Sequence, residues 1–267
     1  MGRIVFKISV GFVTGALILL AVSLYLSNHY LQEQLRLAET GDLRGARADV
    51  ERAARLDPFS SDPPGADAYL DLRQGQTEAA VEAFREAIRR EPVNYKNYVS
   101  LGDLQRQQLS DAESAIKSYQ EALEYNPHAT TVVTRLAEAL LSTGDFEGAR
   151  VQYEWLRERD KISPKDLYTL GKIQTRLDEP EKAIETFKEA RKGAETGQDS
   201  NESESQREAF IESLDLATAD ALVVERSYDE ARDVLSQSSA EQASTVLALL
   251  DEDPEGYRDS VLNAAIS

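Results

Sequence analysis

The sequence predicts an all-α protein in which antiparallel helix pairs stack into a solenoid behind a single membrane-spanning helix. Two observations lead to this fold class. Small and bulky apolar residues recur with a spacing of 34 or 35 residues across most of the chain, and residues 8–26 form 19 consecutive positions without a charged side chain. A fixed period of this length is typical of α-helical repeats, since one helix pair cannot bury its apolar face without a neighbour.

The uncharged segment ISVGFVTGALILLAVSLYL occupies residues 8–26. As a helix it is about 28 Å long, close to the ~30 Å thickness of the bilayer hydrocarbon core. Arg3 and Lys7 precede it, so the positive-inside rule places the N-terminus in the cytoplasm and the following residues on the opposite side. We therefore predict that residues 1–26 are a single-pass transmembrane anchor that contacts the lipid bilayer through residues 8–26.

A cleaved signal peptide is the alternative for this segment, because residues 21–23 (Ala-Val-Ser) resemble a small-x-small cleavage site. An uncleaved anchor is favoured, since residues 24–26 continue the apolar run beyond that site. Within the run, Gly11 and Gly15 have the Gly-x-x-x-Gly spacing that allows a second transmembrane helix to approach closely. We name them as candidates for packing inside the membrane.

The repeat is defined by a small residue followed four positions later by a bulky one. In antiparallel helix pairs, small residues let the two helices approach and bulky residues fill the space between them. Pro58, Pro92 and Pro127 follow the first three copies, where a proline ends the second helix. The five aligned pairs are Ala46 and Val50, Ala80 and Phe84, Ala115 and Tyr119, Ala149 and Tyr153, and Ala183 and Phe187.

This period and residue pattern resemble the tetratricopeptide repeat. The resemblance implies five clear helix pairs over residues 27–197 and a protein-binding rather than enzymatic function. The clearest copy runs from Tyr95 to Ala129 and carries one extra residue in the turn between its helices. Its consensus positions hold Tyr98, Leu101, Gly102, Ala115, Tyr119, Ala122 and Pro127.

The array has two predicted boundaries. The leading helix of the first repeat begins where the apolar run ends, with no Gly or Pro between them, so one continuous helix is expected to pass from the membrane into the array. Residues 198–208 are acidic and rich in Ser, which is typical of a hinge. Residues 209–267 then form a degenerate sixth pair, with Ala231 and Leu235 at the small and bulky positions, followed by two capping helices.

The composition excludes several classes of function. The chain contains no Cys, and its two histidines, His29 and His128, have no spaced partner. We therefore predict no catalytic residues, no metal site and no cofactor. The formal net charge is −18, and from Glu195 onward 18 acidic residues stand against 4 basic ones. Such a surface repels nucleic acid, so no nucleic-acid partner is expected.

Candidate binding residues follow from the resemblance, because tetratricopeptide proteins bind partners mainly on the concave face formed by the first helix of each pair. Lys165, Lys172 and Arg176 share one face of such a helix, with Tyr168 between them. A basic and aromatic strip suits an acidic or C-terminal peptide segment; the alternative is an ordinary mixed-charge helix face. The matching positions are Lys96, Val99, Asp103 and Arg106 in the third copy and Lys165, Tyr168, Lys172 and Arg176 in the fifth.

The function predicted from these features is a membrane-tethered scaffold for protein–protein interactions. It resembles single-anchor tetratricopeptide proteins of bacterial envelopes, which implies an accessory or assembly subunit of an extracytoplasmic or membrane complex at the bacterial inner membrane. Its partners would be other proteins, including membrane protein subunits. Two alternatives stay open: a secreted peptide-binding protein released by signal cleavage, and an organellar membrane receptor whose repeats face the cytosol.

Overall fold

A computed structural model describes the backbone of residues 2–197, 203–264 and 266, with side chains described from residue 13 onward. The described residues form fourteen α-helices and no strand, which confirms the predicted all-α class. The chain divides into two compact units, residues 1–129 and 130–267. The helices of the first unit are α1 (Gly2–Glu39), α2 (Leu43–Leu56), α3 (Asp62–Arg73), α4 (Thr77–Arg90), α5 (Tyr95–Gln107) and α6 (Ala112–Tyr125).

The second unit continues the same organisation. Helices α7 and α8, α9 and α10, and α11 and α12 form antiparallel pairs, and two short helices follow. Its helices are α7 (Thr130–Ser142), α8 (Phe146–Arg157), α9 (Pro164–Arg176), α10 (Pro180–Glu195), α11 (Glu204–Glu225), α12 (Tyr228–Gln237), α13 (Ala243–Glu252) and α14 (Pro254–Asn263).

The small and bulky repeat positions form the core of the helix pairs. All five predicted alanines have no exposed surface, and the five bulky residues are at most 4% exposed. Ala231 and Leu235 are buried in the same way in α12, so the sixth pair is built like the others. The side-chain pattern therefore marks the face along which each pair closes, as the sequence predicts.

The turn inside each pair repeats as regularly as the core. Gly41, Gly75 and Gly144 have positive φ angles, and so do Ser110 and Asp178 at the equivalent places. The following residue caps the second helix in several copies: the side chains of Asp42, Asp111 and Asp145 each accept a hydrogen bond from the backbone N–H three residues on. The α5–α6 turn has one residue more than its counterparts, as predicted. The left-handed residue reverses the chain and the cap starts the next helix.

Helix α1 is continuous from the apolar run into the first repeat. Its C-terminal half packs against α2, where Ser27 is buried and Gln34 is 4% exposed. The Ser27 hydroxyl donates to the carbonyl oxygen of Ala53 (3.1 Å) and the Ser23 hydroxyl donates to that of Leu56 (2.7 Å). Contact with α2 therefore begins within the apolar run, four residues before the expected start of the array at residue 27.

The predicted hinge over residues 198–208 needs a correction at its C-terminal end. Residues 198–202 lie outside the described residues, but α11 begins at Glu204 rather than at 209. A capping box explains the earlier start: the Ser203 hydroxyl accepts from the backbone N–H of Gln206, and the Gln206 side chain accepts from the backbone N–H of Ser203. These polar residues begin a helix that the low hydrophobicity of the stretch concealed.

The last helix folds back on α9 and α11, each the first helix of its pair. Helix α13 packs against α12, whereas α14 packs against α11 and α9. Arg258 of α14 donates from Nε to the carbonyl oxygen of Val224 (3.1 Å) and from Nη2 to the carboxylate of Asp178 (3.2 Å). Helix α14 thereby covers part of the surface of α9 and α11 that solvent would otherwise reach.

The close approach within a pair predicts the effect of a single methyl group. A Cβ at Gly102 would lie 2.7 Å from Cε1 of the buried Tyr119 ring, whereas a Cβ at Gly65 would meet nothing within 4 Å. We expect Gly102→Ala to lower the free energy of unfolding by about 1–3 kcal/mol through overpacking. Gly65→Ala should leave it unchanged or raise it by up to about 1 kcal/mol. Chemical denaturation followed by circular dichroism measures both, and equal effects would contradict this packing.

Candidate functional site

The predicted binding residues of the third copy lie on α5 in the first unit. Lys96 is exposed near the start of the helix and Val99 is half-buried. Asp103 accepts a hydrogen bond from the hydroxyl of Tyr119 (2.7 Å), and burial, together with that bond, raises the pKa of Tyr119 to about 12. Arg106 also lies close to this hydroxyl. Two of the four predicted positions are therefore connected to the core of their own helix pair.

The predicted residues of the fifth copy lie on α9, in the second unit. Tyr168, Lys172 and Arg176 line one cavity of about 370 Å³. Lys165 lines a neighbouring cavity of about 420 Å³. The structure thus brings three of the four residues to one wall and places the fourth beside it, and the side chain of Ile266 lines both cavities.

Aromatic side chains support the middle of this wall. The Tyr168 ring meets the Phe210 ring edge-on at 5.8 Å between centroids and lies 6.1 Å from the ring of Phe187. The ammonium of Lys172 stands 5.5 Å from the centroid of the Tyr168 ring, a cation–π distance. Tyr168 therefore has a packed position from which it holds the Lys172 side chain along the wall.

Arg176 supplies the second cation of the cavity wall. Its guanidinium lies over the ring of Phe146 at 5.4 Å. Its Nε atom is buried and has no hydrogen-bond partner within the part of the chain that the structure describes. A buried guanidinium donor without an acceptor is costly. Since Arg176 lines the cavity, its guanidinium is the group to which a carboxylate entering the cavity would bind.

Asp220 faces these cations from α11 and was not among the predicted residues. Tyr257 of α14 donates a hydrogen bond from its hydroxyl to Asp220 Oδ1 (2.8 Å). Burial raises the pKa of Asp220 to about 6, against the opposing effects of this bond and of Lys172. Burial also lowers the pKa of Lys172. The cavity therefore combines two basic groups with a carboxyl that is partly protonated near pH 6.

The C-terminal segment forms part of the cavity lining. Val261, Ala264 and Ile266 all line it. Glu255 accepts hydrogen bonds from the hydroxyl of Tyr228 (2.7 Å) and from Arg226 (3.2 Å), which fixes the start of α14. No short-range pattern in the sequence signals this arrangement, because the residues that meet here are separated by tens of positions along the chain.

The remaining predictions concern metals and membrane packing. The described residues contain no cluster of three or more His, Asp or Glu side chains placed to hold a metal ion. Over the same residues, α1 is the one helix long and apolar enough to cross a membrane. A Cβ at Gly15 would meet nothing within 4 Å, while the surroundings of Gly11 lie outside the described side chains. The packing role of both glycines stays a prediction.

Comparisons with known proteins match the repeats. Family models of the tetratricopeptide repeat match residues 66–129 and 106–164. Tetratricopeptide repeat protein 21B of Homo sapiens is 30% identical over 132 residues, which cover 46% of this chain and 10% of that protein. Its Xenopus laevis counterpart is 26% identical over 171 residues, 59% of this chain and 12% of that protein. The chain thus spans about a tenth of the length of these curated relatives.

Solved structures share the fold. A crystal structure of MamA superposes with a TM-score of 0.55 at 17% identity, covering 67% of this chain and 97% of MamA. PilW, described as a widely conserved type IV pilus biogenesis factor, superposes with a TM-score of 0.53 at 19% identity, covering 83% of this chain and 98% of PilW. At these identities the likeness establishes the helical-repeat architecture alone.

The raised pKa of Asp220 predicts a pH dependence of stability. A folded-state pKa above the unfolded value means that the folded state binds the proton more tightly, so stability falls as the pH rises from about 4 to about 6. Asp220→Asn keeps an acceptor for Tyr257 and removes the titration. We expect the free energy of unfolding of the wild type, relative to this variant, to fall by about 1–2 kcal/mol over that range. Chemical denaturation at each pH measures the free energy of unfolding of both proteins. The same change with pH in both would contradict the raised pKa of Asp220.

Proposed function

We propose that this chain, which belongs to the tetratricopeptide repeat family, is a membrane-tethered scaffold that holds an acidic segment of a partner protein against α9. The repeats themselves support a role in protein–protein interaction. The tether and the identity of the bound segment are the parts that we propose. The partner would be a subunit of an extracytoplasmic or membrane complex, which the scaffold helps to assemble.

One observation carries the proposed binding site: Tyr168, Lys172 and Arg176 stand on a single cavity wall, and the buried Nε of Arg176 has no acceptor among the described residues. In a chain of net charge −18, this cavity keeps an excess of positive charge, since two cations face the single carboxyl of Asp220, and that excess beside an aromatic ring favours an acidic ligand. A carboxylate side chain would accept from Arg176, and apolar neighbours in the same peptide would meet Tyr168.

The tether is supported by the continuity of α1. Signal cleavage at residues 21–23 would cut a helix in which Ser23 already bonds to the carbonyl oxygen of Leu56. The exposed apolar surface before that point also favours a membrane, since Leu17, Ile18 and Leu19 are each at least 59% exposed. With Arg3 and Lys7 before the apolar run, the repeats would face the extracytoplasmic side, as at a bacterial inner membrane.

Charge reversal on the cavity wall tests the binding site. We expect Lys172→Glu combined with Arg176→Glu to lower recovery of a stoichiometric partner from detergent-solubilised membranes at least tenfold, because an acidic segment would then be repelled. Lys182→Glu combined with Lys188→Glu makes the same charge change on α10 and should leave recovery unchanged. Circular dichroism verifies that both variants fold. Equal recovery with the two variants, or no stoichiometric partner for the wild type, would contradict the proposal.

The mass of the mature protein tests the tether separately. We expect the protein isolated from membranes to keep residues 1–26, since the bond between Ser23 and the Leu56 carbonyl holds this part of α1 in the folded unit. Intact mass spectrometry measures this directly. A mature protein that starts at Leu24 would rule out the anchor and support the secreted alternative. A reporter fused after Ser267 distinguishes the extracytoplasmic orientation from a cytosol-facing receptor.

A further inference from the structure

The contact between α1 and α2 sets the height of the first unit above the proposed anchor. Because the two helices are antiparallel, the end of α2 at Leu56 lies level with Ser23, as the hydrogen bond between them shows. The opposite end of the unit, near Thr40, is about 26 Å further along α1 at 1.5 Å per residue. The turn that follows α2 therefore lies at the end of the unit nearest the apolar run.

A second turn lies beside the first at this end. The backbone N–H of Ser61 donates to the carboxylate of Glu91 (2.8 Å), and Asn94 donates from Nδ2 to the Ser61 hydroxyl (3.3 Å). Arg90 reaches the carbonyl oxygen of Ser60 (3.4 Å). The turns over residues 57–61 and 91–94 are thus joined into one surface, which we call the turn edge.

The turn edge exposes apolar side chains at equivalent repeat positions. Phe59 is 82% exposed and Val93 is 75% exposed, and each comes directly after the proline that ends the preceding repeat. Tyr25 on α1 is 71% exposed close to the level of Ser23. Single exposed apolar residues are ordinary, but here three occur together at the end of the unit from which the apolar run emerges.

We propose that the turn edge rests on the membrane surface and inserts Phe59 and Val93 into the bilayer interface. This proposal rests on the proposed tether of residues 8–26. Tyr25 would join them as an interfacial aromatic anchor, the position that Tyr and Trp favour at a membrane boundary. The first unit would then contact the bilayer at two places, through α1 and through the turn edge, which fixes its tilt as well as its distance.

The same geometry limits how deep the anchor lies. The C-terminal part of α2 carries Arg52 and, in its last turn, Arg55, and neither can enter hydrocarbon without a large cost. Since Leu56 is level with Ser23, the hydrocarbon core has to end near Val22 on the α2 side of α1, so residues 23–26 lie with the turn edge in the headgroup layer. Residues 8–22 then span about 22 Å, and local thinning of the bilayer accommodates the shorter span. That layer is about 5–7 Å thick on each side of the core, enough for one aromatic side chain.

The charges beside the turn edge indicate which lipids it requires. Arg55 pairs with Glu51, and Arg89 and Arg90 share Glu86. Asp57 and Glu91 lie in the two turns themselves, so the edge has no excess of positive charge. Insertion would then depend on the apolar side chains rather than on anionic headgroups. Zwitterionic phosphatidylcholine vesicles are therefore the appropriate probe.

Site-directed labelling tests the proposal, and the absence of native Cys makes single-Cys variants of the full chain practical. A fluorophore is attached to Phe59→Cys, Val93→Cys, Thr40→Cys or Leu20→Cys, and each protein is reconstituted into phosphatidylcholine vesicles that carry a nitroxide quencher on the lipid. Labels at 59 and 93 should be quenched at least threefold more than the label at 40. The label at 20 should be quenched in the hydrocarbon core and reports the tether itself.

The outcomes distinguish the contact of the turn edge with the membrane from the tether of residues 8–26. Quenching at 20 with labels at 59 and 93 no more quenched than the label at 40 would overturn the turn-edge contact and leave the tether standing. No quenching at 20 would overturn both. A second variant excludes a contact made by the label itself: Phe59→Asp should reduce quenching of the label at 93 toward the level at 40, and unchanged quenching would count against the insertion of Phe59.

Discussion

The packing of α1 against α2 is the contact on which the proposed architecture depends. Helix α1 is long enough to cross a bilayer and also to serve as the first helix of the first repeat, and Ser23 and Ser27 bond to backbone carbonyls at the end of α2. The first unit consequently begins without a flexible linker. If α1 crosses a membrane as proposed, the orientation of this unit follows from helix geometry rather than from a tether length.

The second unit depends on a different contact, the packing of α14 against α9 and α11. The hydrogen bond from Tyr257 to Asp220 and the contacts of Arg258 hold α14 in this position. The result is a cavity lined both by residues of the predicted basic and aromatic strip and by the chain's own Ile266. A bound partner segment would have to share this space with Ala264 and Ile266 or displace them, so its affinity would include the cost of that movement.

The fold was predictable because its signal is local and repeated. One small and one bulky residue per copy recover the five core pairs, and the turn residues recur with the same period. The start of α11 was missed because the Ser203–Gln206 capping box lies in a polar stretch whose composition suggested a hinge. Capping depends on two side chains at a fixed spacing, and an average over composition does not detect it.

The candidate site was predictable only in part. The strip on α9 follows from helical spacing within one element, so the common face of Tyr168, Lys172 and Arg176 was predictable, while their role in binding stays a prediction. Asp220 and Tyr257 come from helices far along the chain, and their meeting depends on the packing of α14, for which no repeat provides a template. The same reason applies to Phe59 and Val93. An apolar residue in a turn is ordinary, and the exposure of these two suggests a membrane contact only because the structure places Leu56 level with Ser23.

Hydrogen exchange at the joint tests the central claim most directly, namely that one unbroken helix joins the membrane segment to the repeats. The full chain in phosphatidylcholine nanodiscs is exposed to deuterated buffer, and exchange is resolved for the amides of residues 20–32. The account predicts exchange at least about a thousandfold slower than in an unstructured chain across this whole segment. Rapid exchange confined to residues 24–30 would reveal a flexible linker and contradict it.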